Sequence, residues 1–267
     1  MATSRKTTTR MGTVARALAE GTVSVVFQPI VEISTGITFA FEALARSAAK
    51  EFDSPVTLFD AAVEQRLAGK LGRRIRDLAT AVCTDHALFL NVHPEELSDR
   101  WLVQPDDPIF SHGPGVYLEV TESVPLSHHA LVKSIISEVR SKGVGLVVDD
   151  LGAGYSNLRY IADLAPDIVK VDRGLVEGLD GDKRRRRLLS AIVRLCNDLG
   201  SDVVAEGIET RAELDAVRDT GVRFAQGFLI ARPKAEAELP VFEMGSPSSL
   251  RKKLRNEPVR RRTRTDL

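Results

Sequence analysis

The chain of 267 residues carries 37 Lys or Arg and 37 Asp or Glu, so its formal net charge at pH 7 is zero, and 43% of its residues are hydrophobic. This length suffices for a single α/β barrel domain, and the hydrophobic fraction is ordinary for a globular protein. No apolar stretch is as long as a membrane span, and no hydrophobic region follows the basic start, so we expect neither a transmembrane helix nor a secretory signal. Cys83 and Cys196 lie far apart and form no metal-ligand spacing, which favours a reducing, cytoplasmic setting.

Positive charge is concentrated at the two ends of the chain. Residues 251–267 hold eight Arg or Lys and two Asp or Glu, and residues 1–10 hold three Arg or Lys. This pattern predicts a folded acidic body with solvated tails. We expect an N-terminal tail and lead-in helix over 1–17, a barrel over 18–243 and a basic, disordered tail over 244–267. The last tail either only aids solubility or binds nucleic acid, an anionic surface or an acidic protein partner.

The hydrophobic periodicity predicts helices and strands that alternate along most of the chain. A short helix (11–21) precedes a hairpin that turns at Ser34-Thr35-Gly36, so the first strand runs antiparallel to the second. Ser54 caps the next helix, with Pro55 at its first position. Strands are predicted at 23–33, 37–44, 88–92, 116–121, 144–149, 167–172, 202–205 and 222–227. Helices are predicted at 56–68, 72–84, 128–143, 156–164, 184–200 and 210–221.

This alternation predicts parallel pairing with right-handed crossovers and an α/β fold. About eight strands in this length favour a closed (β/α)8 TIM-like barrel with an antiparallel first strand. The alternative is an open doubly wound sheet, which usually has a glycine-rich fingerprint near its start; this sequence has none.

Polar residues that can hold a cation or a phosphate follow one buried strand after another. In chain order they are Glu42, Asn91, Glu119 with Glu122, the pair Asp149–Asp150, Lys170, Glu206 and Gln226. The carboxyl ends of parallel barrel strands meet at one mouth, so this repetition predicts a metal-dependent active site there.

The pair Asp149–Asp150 is the sharpest local signal. Neighbouring residues on a strand point to opposite sides, but at a strand end the chain turns and both carboxylates can face one cleft. Two adjacent oxygen ligands suit a pair of Mg²⁺ or Mn²⁺ ions, with one carboxylate able to bridge. Alternatively, Asp150 or Ser156 only caps the next helix.

Other members of the set also have structural alternatives. Glu42 could form a salt bridge to Arg46 instead of binding metal, and Asn91 could cap the helix that Pro94 opens. Lys170 among carboxylates can offset charge on a phosphate, or it can pair with Asp172. Glu209 precedes the capping box formed by Thr210 and Glu213, so it could have only a structural role at the start of that helix. Glu206, at the end of a strand, has no such alternative.

The motifs EALAR, NVHP, LEVTES, DDLGAGYS, VKVD, VVAEGIET and AQGF occur in this order over residues 18–235, and together they resemble the EAL-domain family of cyclic di-GMP phosphodiesterases. The resemblance implies a barrel whose first strand is antiparallel and hydrolysis of one phosphodiester bond of cyclic di-GMP to linear 5′-pGpG, with two Mg²⁺ or Mn²⁺ ions activating water. By analogy with the family we also expect a homodimer.

Carried over by motif, the resemblance assigns the metal ligands and the residues around them. The implied metal ligands are Glu42, Asn91, Glu119, Asp149 and Asp150. Lys170 and Glu206 complete the catalytic centre, Glu209 and Gln226 lie near the water or the substrate, and Glu122 steadies the loop after Asp150. Gln28 and Arg46 match positions that contact the dinucleotide.

Two segments depart from the family pattern. The family commonly has Phe-Gly-Thr-Gly after the two aspartates, where this chain has Leu151-Gly152-Ala153-Gly154, and Ser47 replaces the usual tryptophan after Arg46. The first loop is associated in the family with metal occupancy and dimer coupling. Every polar ligand position is retained, which favours an active phosphodiesterase. A cyclic di-GMP receptor with little turnover and a nucleotide-independent adaptor are the alternatives.

Overall fold

The computed structural model describes residues 13–98, 101–121, 129–153 and 158–242, and within them eight strands form one closed barrel in sequence order. The strands are β1 Val23–Glu32, β2 Thr38–Ser47, β3 Ala87–Asn91, β4 Val116–Thr121, β5 Gly145–Leu151, β6 Ile168–Val171, β7 Asp202–Ala205 and β8 Phe224–Ala225. Neighbours from β2 to β8 pair in parallel, whereas β1 is antiparallel to both β2 and β8. The prediction of a TIM-like barrel with an antiparallel first strand is therefore confirmed.

Helices follow most of the strands and pack around the barrel. They are α1 Thr13–Ala19, α2 Pro55–Glu64, α3 Ala68–Val82, α4 Pro94–Ser98, α5 His129–Ser141, α6 Leu158–Leu164, α7 Arg173–Val176, α8 Lys183–Asp198 and α9 Arg211–Asp219, with short 3₁₀ turns at Trp101–Val103 and Pro108–Phe110. Within the described ranges, no helix is both long enough and apolar enough to cross a membrane.

Local signals set the helix boundaries. Ser54 caps α2 and forms a reciprocal capping box with Thr57, while Thr210 and Glu213 form the predicted box at α9. The predicted helix over 56–68 is too long, because Arg66 adopts a left-handed φ of 56° that ends α2. The chain re-enters a helix at Ala68, four residues before the predicted start of α3.

The β1–β2 hairpin is longer than the sequence pattern indicates. Gly36 takes a φ of 75° in the turn, and pairing continues from there until Val23 lies opposite Ser47. β2 therefore runs three residues beyond the predicted Leu44, since each added residue finds a partner on β1. The same register places Gln28 directly opposite Glu42.

One apolar layer fills the barrel beneath the mouth, with one residue from each strand. These residues are Ile30, Ala40, Phe89, Tyr117, Val147, Ile168, Val204 and Phe224, and Phe39 of β2 and Ala87 of β3 pack against them. Side chains repeat their orientation every second residue along a strand. On each strand, the next inward-facing position toward the mouth therefore lies two residues away. A residue at that position forms a second layer above the apolar one.

Candidate metal and substrate site

A ring of polar side chains lies on top of the apolar layer, one for each strand of the barrel. The ring comprises Gln28, Glu42, Asn91, Glu119, Asp149, Lys170, Glu206 and Gln226, each two residues from its apolar counterpart. On β1 the step runs backwards along the chain, because that strand is antiparallel. The fold thus brings together, in one layer, residues that are spread over almost 200 positions of sequence.

Lys170 lies at the centre of the ring. Its Nζ is 2.7 Å from Glu206 Oε1, 2.9 Å from Glu119 Oε1, 3.2 Å from Asp149 Oδ2 and 3.4 Å from Glu42 Oε1. The lysine side chain is only 1% exposed. The alternative of a pair with Asp172 is wrong, because Asp172 instead accepts a hydrogen bond from Gly174 N and caps α7. One ammonium group therefore contacts four carboxylates, so the acidic groups of the ring outnumber its basic group.

Amide side chains hold Glu42 in place. Asn91 Nδ2 donates to Glu42 Oε1 at 3.1 Å, and Gln226 Nε2 donates to Glu42 Oε2 at 2.6 Å. Gln226 Nε2 also lies 3.2 Å from Gln28 Oε1, so these two glutamines support each other across the β8–β1 seam. Both oxygens of Glu42 are directed by these contacts, and the Arg46 side chain donates instead to the carbonyl of Ala45.

A local irregularity in β5 turns two consecutive aspartates toward one cleft. Between Val148 and Leu151 the register with β6 shifts, and Asp150 takes a left-handed φ of 63°. As a result, carboxylate oxygens of Asp149, Asp150 and Glu206 lie within 4.8 Å of one another. A second group, formed by Glu42, Glu119 and Asp149, meets the same distance limit. Asp149 belongs to both groups.

Burial and like charges set unusual protonation equilibria in the ring. Burial is the main cause that raises the pKa of Glu119 well above its usual value, and the neighbouring charge of Glu42 adds to it. Burial likewise raises the pKa of Glu206 to about 8, although Lys170 opposes the shift. For Glu42, burial is outweighed by Lys170 and by the hydrogen bonds from Gln226 and Asn91, which lower its pKa. Burial would lower the pKa of Lys170, but the four carboxylates raise it well above its usual value.

The donor set fits a divalent cation. Glu119 Oε2 and Gln226 Oε1 are buried and have no hydrogen-bond partner among the described residues, a condition that costs free energy unless a ligand satisfies them. The available ligand atoms are carboxylate and amide oxygens, which hard cations such as Mg²⁺, Mn²⁺ and Ca²⁺ prefer. The cluster is therefore suited to bind metal.

A cleft of about 260 Å³ opens above the ring. It is lined by Gln28, Glu42, Glu206, Glu209 and Gln226 from the predicted set, together with Leu44, Arg173, Gly207, Gly227 and Phe228. Glu209 lies at the rim, where its Oε1 is 2.9 Å from Arg173 Nη1. Arg46 shares the inward face of β2 with Glu42 and Leu44 and lies nearer the mouth. Glu122, predicted to steady the loop after Asp150, lies outside the described residues.

Sequence reasoning missed Arg173, Leu44 and Phe228. Each follows a predicted site residue by two or three positions, since Leu44 follows Glu42, Arg173 follows Lys170 and Phe228 follows Gln226. Extending each strand by two residues toward the mouth would have found Leu44 and Phe228, whereas Arg173 begins the helix after β6 and lies outside the strand periodicity.

Comparison with known proteins gives matches over most of the chain. The family model described as EAL domain matches residues 11–233. The cyclic di-GMP phosphodiesterase RocR of Pseudomonas aeruginosa is 32% identical over 163 residues, which are 60% of this chain and 42% of RocR. The chain is also similar to BlrP1 of Klebsiella pneumoniae, solved as a manganese and cyclic di-GMP complex. The match has 32% identity and a TM-score of 0.70, and it covers 80% of this chain and 56% of the BlrP1 chain. A standalone EAL protein of Vibrio cholerae, solved with cyclic di-GMP, is 27% identical, with a TM-score of 0.67. That match covers 83% of this chain and 97% of the Vibrio cholerae chain.

The matched relatives are mostly larger proteins. The chain spans less than half the length of eight curated relatives that it matches, RocR among them. The similarity therefore concerns one domain that those proteins share.

Proposed function

We propose that this chain, which belongs to the EAL-domain family, is a metal-dependent phosphodiesterase that hydrolyses cyclic di-GMP to linear 5′-pGpG. The observation that carries the proposal is the convergence of Glu42, Glu119 and Asp149, whose carboxylate oxygens lie within 4.8 Å of one another inside the mouth. Relatives named as cyclic di-GMP phosphodiesterases support the substrate class.

The carboxylates and the amide of the ring would hold two Mg²⁺ or Mn²⁺ ions. The proposed ligands are Glu42, Asn91, Glu119, Asp149 and Asp150. When bound, such ions lower the pKa of water and stabilise charge on the phosphate during an in-line displacement. Asp149 belongs to both carboxylate groups, so it would help to hold both ions.

The remaining polar residues orient the reactants. Lys170, already held by four carboxylates, offsets negative charge that develops on the phosphate and fixes the positions of Glu119 and Glu206. Glu206, with its raised pKa, is placed to hold a proton near the cleft. Gln226 and Gln28 hold the base of the cleft, and Glu209 and Arg46 lie nearer its rim, toward the dinucleotide. The role proposed for Glu122 rests on the family resemblance alone.

The decisive experiment is incubation of the purified chain with cyclic di-GMP and either Mg²⁺ or Mn²⁺, followed by chromatography of the products. We expect linear 5′-pGpG, and we expect Glu42→Ala to reduce its formation at least about 100-fold, because loss of an outer-shell contact at a metal site alone typically costs 10- to 100-fold. Glu236→Ala removes an exposed carboxylate beyond the barrel and is the matched control. Equal activity in both variants would contradict the proposed site.

Two other functions would give different results in the same experiment. Tight binding of cyclic di-GMP without a linear product would favour a receptor, and the altered loop Leu151-Gly152-Ala153-Gly154 is the feature that raises this possibility. Absence of binding would leave an adaptor that acts through its surface. The adaptor has no use for a buried cluster of carboxylates around Lys170, so it is the less favoured of the two.

Self-association is also part of the proposal. Leu188, Leu195 and Leu199 lie on one side of α8 and its end, with exposed fractions of 51%, 36% and 42%. Such an apolar face suits a homodimer contact. Light scattering during gel filtration should show a dimer that Leu195→Glu weakens, whereas a monomeric wild-type chain at high concentration would contradict it.

Two further expectations stand on the sequence. Cys83 and Cys196 are free and buried, as expected of a domain that works in a reducing compartment such as the cytoplasm. The basic segment 251–267 lies outside the described residues, and an anionic surface or an acidic protein is the partner we propose for it.

A further inference from the structure

Arg173 is the one cationic side chain among the described residues that line the cleft. Three acidic side chains, Glu42, Glu206 and Glu209, share that lining. A cyclic dinucleotide carries two phosphates, and an acidic cleft repels both of them. Metal ions in the carboxylate ring would neutralise the site at the base of the cleft, where one phosphate is cleaved. The other phosphate needs a positive charge nearer the rim, where Arg46 of β2 and Arg173 of α7 are the candidates, and of these two only Arg173 lines the cleft.

The fold holds Arg173 in position from two sides. Asp172 caps α7 directly after β6, so Arg173 is the first helical residue and follows Lys170 by three positions. Gly207, with a left-handed φ of 66°, lies beneath its side chain, and a Cβ at that position would be 2.6 Å from both Cβ and Cγ of Arg173. The aliphatic part of Arg173 therefore lies flat against the backbone next to Glu206, and its guanidinium group reaches along the rim.

The present partner of the guanidinium group is exchangeable. Arg173 Nη1 is 2.9 Å from Glu209 Oε1, and Arg173 Nε is 3.5 Å from Glu177 Oε2. The side chains of Arg173 and Glu209 are 49% and 41% exposed, and ion pairs with this exposure contribute only about 0–1 kcal/mol. Arginine binds phosphate oxygens through two parallel hydrogen bonds, a geometry that a phosphodiester offers.

We propose that Arg173 is a specificity-determining residue that binds the phosphate of the cyclic dinucleotide that is not cleaved. In the free chain, Glu209 holds the guanidinium group over the cleft, and the phosphate replaces Glu209 when the dinucleotide enters. This inference rests on the proposed function, and it adds the residue that distinguishes a substrate with two phosphates from one with a single phosphate.

The test compares two substrates in one set of variants. Cyclic di-GMP has two phosphates, whereas bis(p-nitrophenyl) phosphate has one, and both are assayed with Mn²⁺. Arg173→Met removes the charge but keeps an unbranched side chain that can lie on Gly207, and Arg173→Lys keeps the charge without the bidentate geometry. Arg184→Met, on the exposed surface of α8, is the matched control.

For Arg173→Met we expect the KM for cyclic di-GMP to rise about 10- to 100-fold with kcat nearly unchanged, which is the range for one lost hydrogen-bonded charge contact. Arg173→Lys should lie between this variant and the wild type, and Arg184→Met should match the wild type. Hydrolysis of bis(p-nitrophenyl) phosphate should be unaffected in every variant. Calorimetry with cyclic di-GMP in EDTA should show the same loss of affinity without any turnover.

The outcomes separate the inference from the function on which it rests. If both substrates lose activity equally in Arg173→Met, the residue only positions catalytic groups and the inference is wrong. If neither KM nor affinity changes, the uncleaved phosphate does not bind there. If the wild-type chain neither binds nor cleaves cyclic di-GMP, the proposed function fails first, whatever the variants do.

Discussion

Lys170 Nζ and Glu206 Oε1 lie 2.7 Å apart, the shortest of four contacts that this lysine makes with carboxylates. The pair joins the carboxyl ends of β6 and β7, and through Lys170 it reaches β2, β4 and β5. A single buried cation thus compensates part of the charge contributed by four other strands. This arrangement makes the stability of the chain depend on the same residues that we propose for catalysis.

Lys170→Met should destabilise the metal-free chain by about 3–5 kcal/mol, because it leaves buried carboxylates without their shared cation. Added Mn²⁺ should recover part of that loss, since a divalent ion replaces the missing charge, while phosphodiesterase activity should stay low. Urea unfolding with and without Mn²⁺ measures both effects. Lys133→Met removes a side chain that is 46% exposed and should change stability by less than about 0.5 kcal/mol. A comparably small effect at Lys170 would contradict the prediction.

Metal binding should strengthen as pH rises from 6 to 8. Burial raises the pKa of Glu206 to about 8, whereas a glutamate in an unfolded chain has a pKa of about 4.3. Without metal, the folded chain therefore keeps a proton that the unfolded chain has lost, and the free energy of unfolding falls as pH rises through this window. Glu42 does not offset this, because the lowered pKa of Glu42 affects stability only at more acidic pH.

A bound metal ion favours the ionised form of Glu206, whose carboxylate lies within 4.8 Å of those of Asp149 and Asp150, so metal binding is favoured at the higher pH. We expect the increase in melting temperature caused by Mn²⁺, relative to EDTA, to be larger at pH 8 than at pH 6. Thermal unfolding at the two pH values measures it. An increase that is equal at both, or larger at pH 6, would show that Glu206 is already ionised in the metal-free chain.

The backbone at Asp150 should separate folding from metal binding. Its φ of 63° suits glycine and strains a β-branched residue, so Asp150→Val should be less stable than Asp150→Gly by about 1–2 kcal/mol. Both variants lack the carboxylate, and both should bind Mn²⁺ more weakly than the wild type in calorimetry. Equal stability of the two variants in urea would mean that β5 ends with a different backbone conformation.

Gly145 should be intolerant of a side chain. A Cβ at this position would collide with the ring of Tyr117 on the neighbouring strand β4, so Gly145→Ala should cost about 1–3 kcal/mol. Gly113→Ala is the control, because nothing lies within 4 Å of a Cβ built there. If overpacking is the cause, Tyr117→Leu should cost less in the Gly145→Ala background than in the wild type. Additive losses would indicate another cause.

The sequence was sufficient to predict the barrel because its strands end in polar residues and alternate with amphipathic helices. The antiparallel direction of β1 followed from the turn at Ser34-Thr35-Gly36, and the inward position of Glu42 followed from the apolar run before it. These features depend on periodicity and turn chemistry, which are local properties of the chain.

Other features depend on contacts between distant segments and were not predictable. Lys170 meets four carboxylates, because β2, β4, β5 and the end of β7 place theirs at the same height in the barrel as β6 places its lysine. Pairing with Arg173 places Glu209 at the rim, a contact that depends on the close approach of α7 to Gly207. The extent of β2 to Ser47 depends on its partner strand and not on its own residues.

The reversed direction of β1 has a mechanical consequence. Strands β2 to β8 enter the barrel at its floor and leave at its mouth, whereas β1 enters beside the mouth, at Val23, and passes Gln28 on its way down. A force applied to the chain before Val23 would therefore reach the layer that contains Glu42 and Gln226 through a single hydrogen-bonded strand, β1. A partner bound on that side of the chain could therefore shift Gln28 and the polar side chains that it contacts.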